Sequence, residues 1–268
     1  MQCAPYHKQF YKKHKTCFKK AQLIDIATHL NLKFNKSKTT VQDLWVQINE
    51  RMNSECAHGD EVCWVQNTNN IHSNTHLPKQ PLEWKQNPHT WLTNLDILNV
   101  MTQYEKKYKK VKVLGVFPID VNEKYGLSQC ISEEICNLKL SKFKDQNSFA
   151  CVFNTDKHYQ SGSHWVAVYF NTRKTSKNYG FYYFNSLASK MPVEILNFGN
   201  SIKNQIKDTD FELSQNNVQK QFQNTECGMF CLHFIIQCLK NKSFNQIIND
   251  DTYDKQVHEL RNKLFRRQ

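Results

Sequence analysis

No stretch of this sequence is apolar for long enough to cross a bilayer, and its first fifteen residues, MQCAPYHKQFYKKHK, lack the unbroken apolar core of a secretory signal. The protein is therefore expected to stay on the side of the membrane where it is made. Its ten cysteines lack the even, tight spacing of a disulfide framework. That argues against a small stapled fold and for reduced thiols in a cytosol-like compartment. Acidic residues are scarce at one end: residues 1 to 40 hold nine lysines against the single acid Asp25, so +8 of the formal net charge of +12 lies there. Such a segment attracts phosphate or carboxylate without reading sequence, which makes DNA or an acidic protein a candidate partner; the alternative is a solvated face that keeps the chain soluble.

What is present is enough for one sizeable core and a small appended module: 268 residues, 39% of them hydrophobic. From Lys19 to Met52, apolar residues recur at Leu23, Ile26, Ala27 and Leu30, then at Val41, Leu44, Trp45 and Ile48, at three- and four-residue gaps. The spacing predicts helix, loop, helix, with Thr40 and Asp43 placed to form a capping box. The pair resembles the SAP-like bihelical modules that bind DNA. Residues 53–80, rich in Asn, His, Ser and Thr, show no periodicity and read as a linker. Within them Cys56, Cys63, His72 and His76 are a candidate zinc set, although the first pair is wider than a usual knuckle; ordinary thiols and surface histidines are the alternative.

Beyond Pro81, Leu92, Leu95, Leu98 and Met101 predict a short helix capped by Thr93 or Asn94. VKVLGVFPID, SFACVFNT, HWVAVYF and YGFYYFNS are dense in β-branched and aromatic residues and read as strands, the last three apolar on both faces and so central in a covered sheet. CGMFCLHFIIQCLK places Phe230, Phe234, Ile235, Cys238 and Leu239 at helical spacing and predicts a buried helix. The fold class expected is α+β, a mixed sheet flanked by helices. The organisation expected is a basic helical module over 1–52, a linker over 53–80 and a catalytic domain over 81–268.

Cys227 opens the buried helix, where backbone N–H groups and the positive end of the helix dipole favour a thiolate; Gly228 beside it is expected to let a substrate approach. The competing reading makes Cys227 a small core residue like Cys231 and Cys238. His164 opens a strand after Ser161, Gly162 and Ser163, a setting from which an imidazole can project into a cleft as a general base. Asn185, at the end of the next strand, can accept from that imidazole and fix its tautomer, which completes a Cys–His–Asn triad. Asp156 is the alternative orienting group, should Asn185 serve a turn instead.

The order His164–Trp165, Asn185 at a strand end, and QNTECG with its cysteine at a helix start resembles the SUMO-protease and adenovirus-endopeptidase superfamily of papain-like cysteine proteases. With NTDKHYQSGSHWVAVYF, YYFNSLASKMP, QFQNTECGMF and HELRNKLFR, the chain is most similar to the polyprotein-processing proteases of large DNA viruses such as African swine fever virus, over roughly residues 81–268. The resemblance implies cleavage of viral core or capsid polyproteins at Gly-Gly-Xaa-type sites during virion maturation, within the virion and the host cytoplasm. It implies that Trp165 lines a tunnel passable only to glycines, and that Gln221, with Gln223 as runner-up, donates to the oxyanion beside the Cys227 N–H. It implies no cofactor or metal. The alternatives are a deconjugating protease for a ubiquitin-like protein, and a non-catalytic DNA-binding virion protein.

Overall fold

The structure, a computed structural model, describes residues 2–125 and 129–267. The chain divides into two compact units, Met1–Lys79 with Phe265–Arg267, and Gln80–Leu264.

The first unit carries α1 (Lys8–His14), α2 (Lys20–His29), α3 (Val41–Arg51) and α4 (Glu61–Asn67). Its core joins Leu23, Ile26 and Ala27 of α2 to Leu44 and Ile48 of α3 and to Trp64 and Val65 of α4. The capping box at Thr40 and Asp43 is formed, with reciprocal bonds of 3.1 and 2.9 Å. Residues 53–80, expected to be a linker, instead contribute α4 and three core side chains, Cys56, Trp64 and Val65. Helical spacing is hidden there because only one turn's worth of apolar residues, Val62, Trp64 and Val65, stands in a polar surround. Glu61 is drawn inside and paired: Trp45 Nε1 donates to it at 2.8 Å and the Cys17 N–H at 3.0 Å.

Cysteine chemistry departs from expectation. Disulfides join Cys3 to Cys17, Cys56 to Cys63 and Cys130 to Cys136, leaving Cys151, Cys227, Cys231 and Cys238 as thiols. The zinc reading fails with them, since Cys56 and Cys63 are bonded to each other and have no thiolate to give a metal. His72 pairs with Asp25 at 2.9 Å and His76 with Glu61 at 3.3 Å.

The second unit begins with α5 (Asn94–Lys107) and is built on a five-stranded sheet in the order β1 (Val111–Pro118), β4 (Ser148–Asn154), β5 (Trp165–Asn171), β6 (Gly180–Phe184), β7 (Leu213–Gln215). The outer pairings β1–β4 and β6–β7 are parallel, the inner two antiparallel. A small ladder of β2 (Lys124–Tyr125) and β3 (Gln129–Cys130) and the short α6 (Glu133–Cys136) lie between β1 and β4 in the chain. Every residue of β5 is buried, as both-sided burial of a central strand demands. Alternate side chains serve opposite faces. Phe153, Phe170 and Phe181 meet Phe198 of α7 (Val193–Ile206) on one face, where Phe149 stacks on Phe170. On the other, β5 packs against α8 (Cys227–Leu239), and Phe184 stacks on Phe234 at 4.8 Å. Three short helices close the unit: α9 (Phe244–Ile248), α10 (Asp254–Glu259) and α11 (Arg261–Leu264).

Thr93 caps α5 in a capping box with Asp96, but the stripe that α5 buries is Ile97, Val100, Met101 and Tyr104, while Leu95 is 63% exposed. Two apolar stripes compete on this helix, and contact with β1 and α8 decides between them. No helix among the described residues is long and apolar enough to cross a membrane.

Candidate active site

His164 immediately precedes β5, Asn185 immediately follows β6, and Cys227 is the first residue of α8. Because β5 and β6 are antiparallel neighbours, the start of one lies beside the end of the other. His164 Nε2–H donates to Asn185 Oδ1 at 2.9 Å. The tautomer follows from the second bond to that oxygen: the Leu187 N–H also donates to Oδ1 at 2.9 Å, so this atom is the acceptor and the imidazole proton sits on Nε2. The Nδ1 lone pair is left to act as a base. Asp156 does not take this place; it accepts from Ser163 Oγ at 2.5 Å.

The Asn185 amide is held on every side. Its Nδ2 donates to Tyr183 Oη at 3.2 Å, its N–H to Asn216 Oδ1 at 2.8 Å, and Asn216 Nδ2 returns a bond to its carbonyl at 2.8 Å. Asn216, fully buried, has no signal in the sequence, since its partner lies 31 residues away.

Cys227 opens α8, which packs against β5, the strand that His164 precedes. Backbone N–H groups of Trp165, the residue after His164, of Gly228 and of Cys227 itself act to lower the Cys227 thiol pKa. These donors favour a thiolate, as the helix-start argument requires. Burial outweighs them: with the residue 1% exposed, desolvation is the largest influence, the neighbouring Glu226 carboxylate adds to it, and the thiol is pushed up from its usual value. The expectation of a lowered thiol pKa is thereby corrected. Burial likewise pushes the His164 imidazole down, with the Asn185 bond opposing. Both shifts work against a thiolate–imidazolium pair.

Gly228 has a packing role as well: a Cβ there would lie 3.2 Å from Leu92 Cβ and 3.3 Å from Ile97 Cδ1, so its missing side chain admits their close approach. Trp165 is 8% exposed, its Nε1–H donating to the Leu92 carbonyl at 3.0 Å. It lines a cleft of about 500 Å³ with Trp91, Leu92, Gly162 and His158. Gln221 is buried, its Oε1 accepting from Ser186 Oγ at 2.6 Å and its Nε2 donating to the Gln223 carbonyl at 2.6 Å; one Nε2 proton remains for another acceptor. Gln223 itself is exposed.

The segment before Cys227 is anchored by a buried ion pair. Arg261 Nε donates to Glu226 Oε2 at 3.0 Å, Arg261 also donates to the carbonyls of Thr90 and Thr225, and its guanidinium lies 4.4 Å over the Trp84 ring. Arg261 falls within the HELRNKLFR motif, the one trace of this anchor in the sequence.

A profile of the YopJ serine/threonine acetyltransferase family matches residues 66–264, well over half of the chain. The chain belongs to that family. R355 of Acanthamoeba polyphaga mimivirus, named as a thiol protease, is 25% identical, with 99% of this chain and 93% of that protein covered. The SUMO-1 cysteine protease S273R of African swine fever virus is 32% identical over 123 residues, 45% of this chain and 44% of its own length. The crystal structure of the African swine fever virus pS273R protease covers all of this chain and 96% of that one, with a TM-score of 0.68 at 20% identity. The fold is therefore that of the pS273R protease, and the chain is a cysteine peptidase similar to those of large DNA viruses.

Proposed function

We propose that this peptidase processes viral core or capsid polyprotein precursors at Gly-Gly-Xaa-type sites during virion maturation, with Cys227 as nucleophile, His164 as general base and Asn185 as the group that orients the imidazole. The observation that carries the reading is the 2.9 Å bond from His164 Nε2 to Asn185 Oδ1, which frees Nδ1. Cys227 Sγ bonds to the scissile carbonyl carbon while its proton passes to His164 Nδ1. The C–N bond then breaks, and the leaving amine takes that proton. Water, deprotonated by the same nitrogen, hydrolyses the thioester and restores the thiol. The Cys227 N–H and the remaining Gln221 Nε2 proton are the donors assigned to the oxyanion, each worth about 3 kcal/mol in the transition state.

The Gly-Gly preference is supported by the two indoles, Trp91 and Trp165, on the wall of the cleft, a lining suited to a chain without side chains. The basic segment 1–40 suits a DNA or acidic partner, and the place of action assigned is the assembling virion in the host cytoplasm. Incubation with viral core precursors beside a panel of ubiquitin-like fusions, followed by sequencing of new N-termini, tests the assignment. Cleavage after Gly-Gly-Xaa in the precursor is expected; preferential turnover of a fusion would make the enzyme a deconjugating protease instead.

The family description favours one further outcome, in which a Ser or Thr hydroxyl rather than water resolves an acetylated Cys227. Acetyl groups appearing on a protein acceptor supplied with acetyl-coenzyme A would reveal it.

A further inference from the structure

We propose that Glu226, His258 and His89 form a binding site for a divalent transition-metal ion of the zinc class, at the start of α8. Their donor atoms converge. Nδ1 of His258 lies 2.9 Å and Nδ1 of His89 3.9 Å from the same oxygen, Glu226 Oε1, and all three atoms fall within 4.8 Å of one another. The two imidazoles stack at 4.5 Å with an interplanar angle of 24°, so both rings present the same edge to that oxygen.

Two features distinguish this arrangement from a chance surface cluster. The first is a preset carboxylate: Glu226 is 2% exposed and its other oxygen is fixed by Arg261, which leaves Oε1 directed at the histidines. Arg261 also holds the carbonyls of Thr90 and Thr225, the residues adjoining His89 and Glu226, so the backbone on both sides of the site is tied to one side chain. Such outer bonds orient metal ligands. The second is the mismatch at His89, whose Nδ1 at 3.9 Å is too far for a hydrogen bond to the oxygen it faces. An ion between the three atoms would satisfy that nitrogen as well as the other two.

Two imidazoles and one carboxylate make a borderline donor set that suits zinc, cobalt or nickel better than calcium or magnesium. Tetrahedral bonds of about 2.0–2.2 Å set donors about 3.4 Å apart, so the His258–Glu226 contact opens from 2.9 Å and the His89 nitrogen moves in from 3.9 Å. His89 can supply that movement, because its side chain is 62% exposed. A cavity of about 770 Å³, lined also by Asn224, Asp254, Lys255 and Glu259, opens beside the three residues and admits water as a fourth ligand. A bound ion would tie His89 to the residue before Cys227.

Cobalt(II) titration of the untagged full chain tests this, in a Cys227→Ala background that removes the buried thiol as a competing ligand. The expected result is a saturable one-to-one visible spectrum of nitrogen and oxygen ligation, without a sulfur charge-transfer band, displaced by zinc. His89→Ala and His258→Ala should each weaken binding by more than about tenfold, since even outer-shell changes reach that size; His72→Ala should not. Zinc should raise the Tm of the wild-type chain and not that of His89→Ala. Lack of a saturable spectrum, or one that survives His89→Ala, would overturn the site. Should His258→Ala lose its circular dichroism, the exposed His89 variant alone decides.

Discussion

His164 Nε2 and Asn185 Oδ1 lie 2.9 Å apart, and the same oxygen also accepts the Leu187 N–H, so the imidazole is held in one tautomer by a neutral amide rather than a carboxylate. The neutrality has a measurable consequence. Asn185→Ala should lower kcat/KM by about 10²–10⁴-fold with little change in KM, because tautomer and ring orientation are lost together. Asn185→Asp places a negative charge against the ring and should raise the pH of the acid limb of kcat/KM by about one unit. A limb that does not move in Asn185→Asp would show that this residue does not face the titrating imidazole.

The thiol and imidazole predict a pH profile of definite sign. Burial raises Cys227 above 9.0 and lowers His164 below 6.5. Alkylation of free Cys227 by iodoacetamide should therefore be slow at pH 7 and climb through pH 9, as thiolate forms only above its raised value. The acid limb of kcat/KM should fall below pH 6.5, where His164 takes up its proton. Fast alkylation below neutral pH would mean a preformed ion pair and contradict the direction of both shifts.

Gly228 sits in the first turn of α8, where alanine would gain up to about 1 kcal/mol in helix propensity. The contacts at 3.2 and 3.3 Å to Leu92 and Ile97 oppose it, and overpacking of this kind costs about 1–3 kcal/mol. Gly228→Ala should be less stable in urea denaturation, and Ile97→Val should recover part of the loss. A neutral Gly228→Ala would mean that α5 and α8 are not pressed together.

Arg261→Met leaves the Glu226 carboxylate buried without its guanidinium, a change that costs about 3–5 kcal/mol for pairs of this type. Adding Glu226→Gln should return much of it, because the uncompensated charge is then removed. If the double variant is as unstable as the single, the bonds from Arg261 to the Thr90 and Thr225 carbonyls matter more than the charge.

Regular period made most of the architecture readable. The strands around Phe149, Val168 and Phe181 and the helix after Cys227 are runs whose length and residue types admit one reading, and His164 and Asn185 stand at their ends. Where two patterns competed, the sequence alone did not decide. The helix Asn94–Lys107 carries one stripe through Leu95 and Leu98 and another through Ile97 and Val100, and only its tertiary neighbours select the second. Cysteine pairing and the helix Glu61–Asn67 depend on how the first unit closes on itself, which no local spacing records. Asn216 and Arg261 reach partners 31 and 35 residues away, pairings that no local spacing records. The helix start favours a thiolate at Cys227, but the depth at which the sulfur is buried, which no local pattern records, pushes the thiol the other way.

The most direct test of the account is mass spectrometry of the protein after reaction with a thiol-reactive peptide aldehyde or vinyl sulfone ending in Gly-Gly-Xaa. The account predicts one adduct, on Cys227, slowed strongly in His164→Ala and by excess cleavable peptide present during the reaction. An adduct on Cys151, Cys231 or Cys238 instead, or labelling of Cys227 that is indifferent to His164, would contradict it.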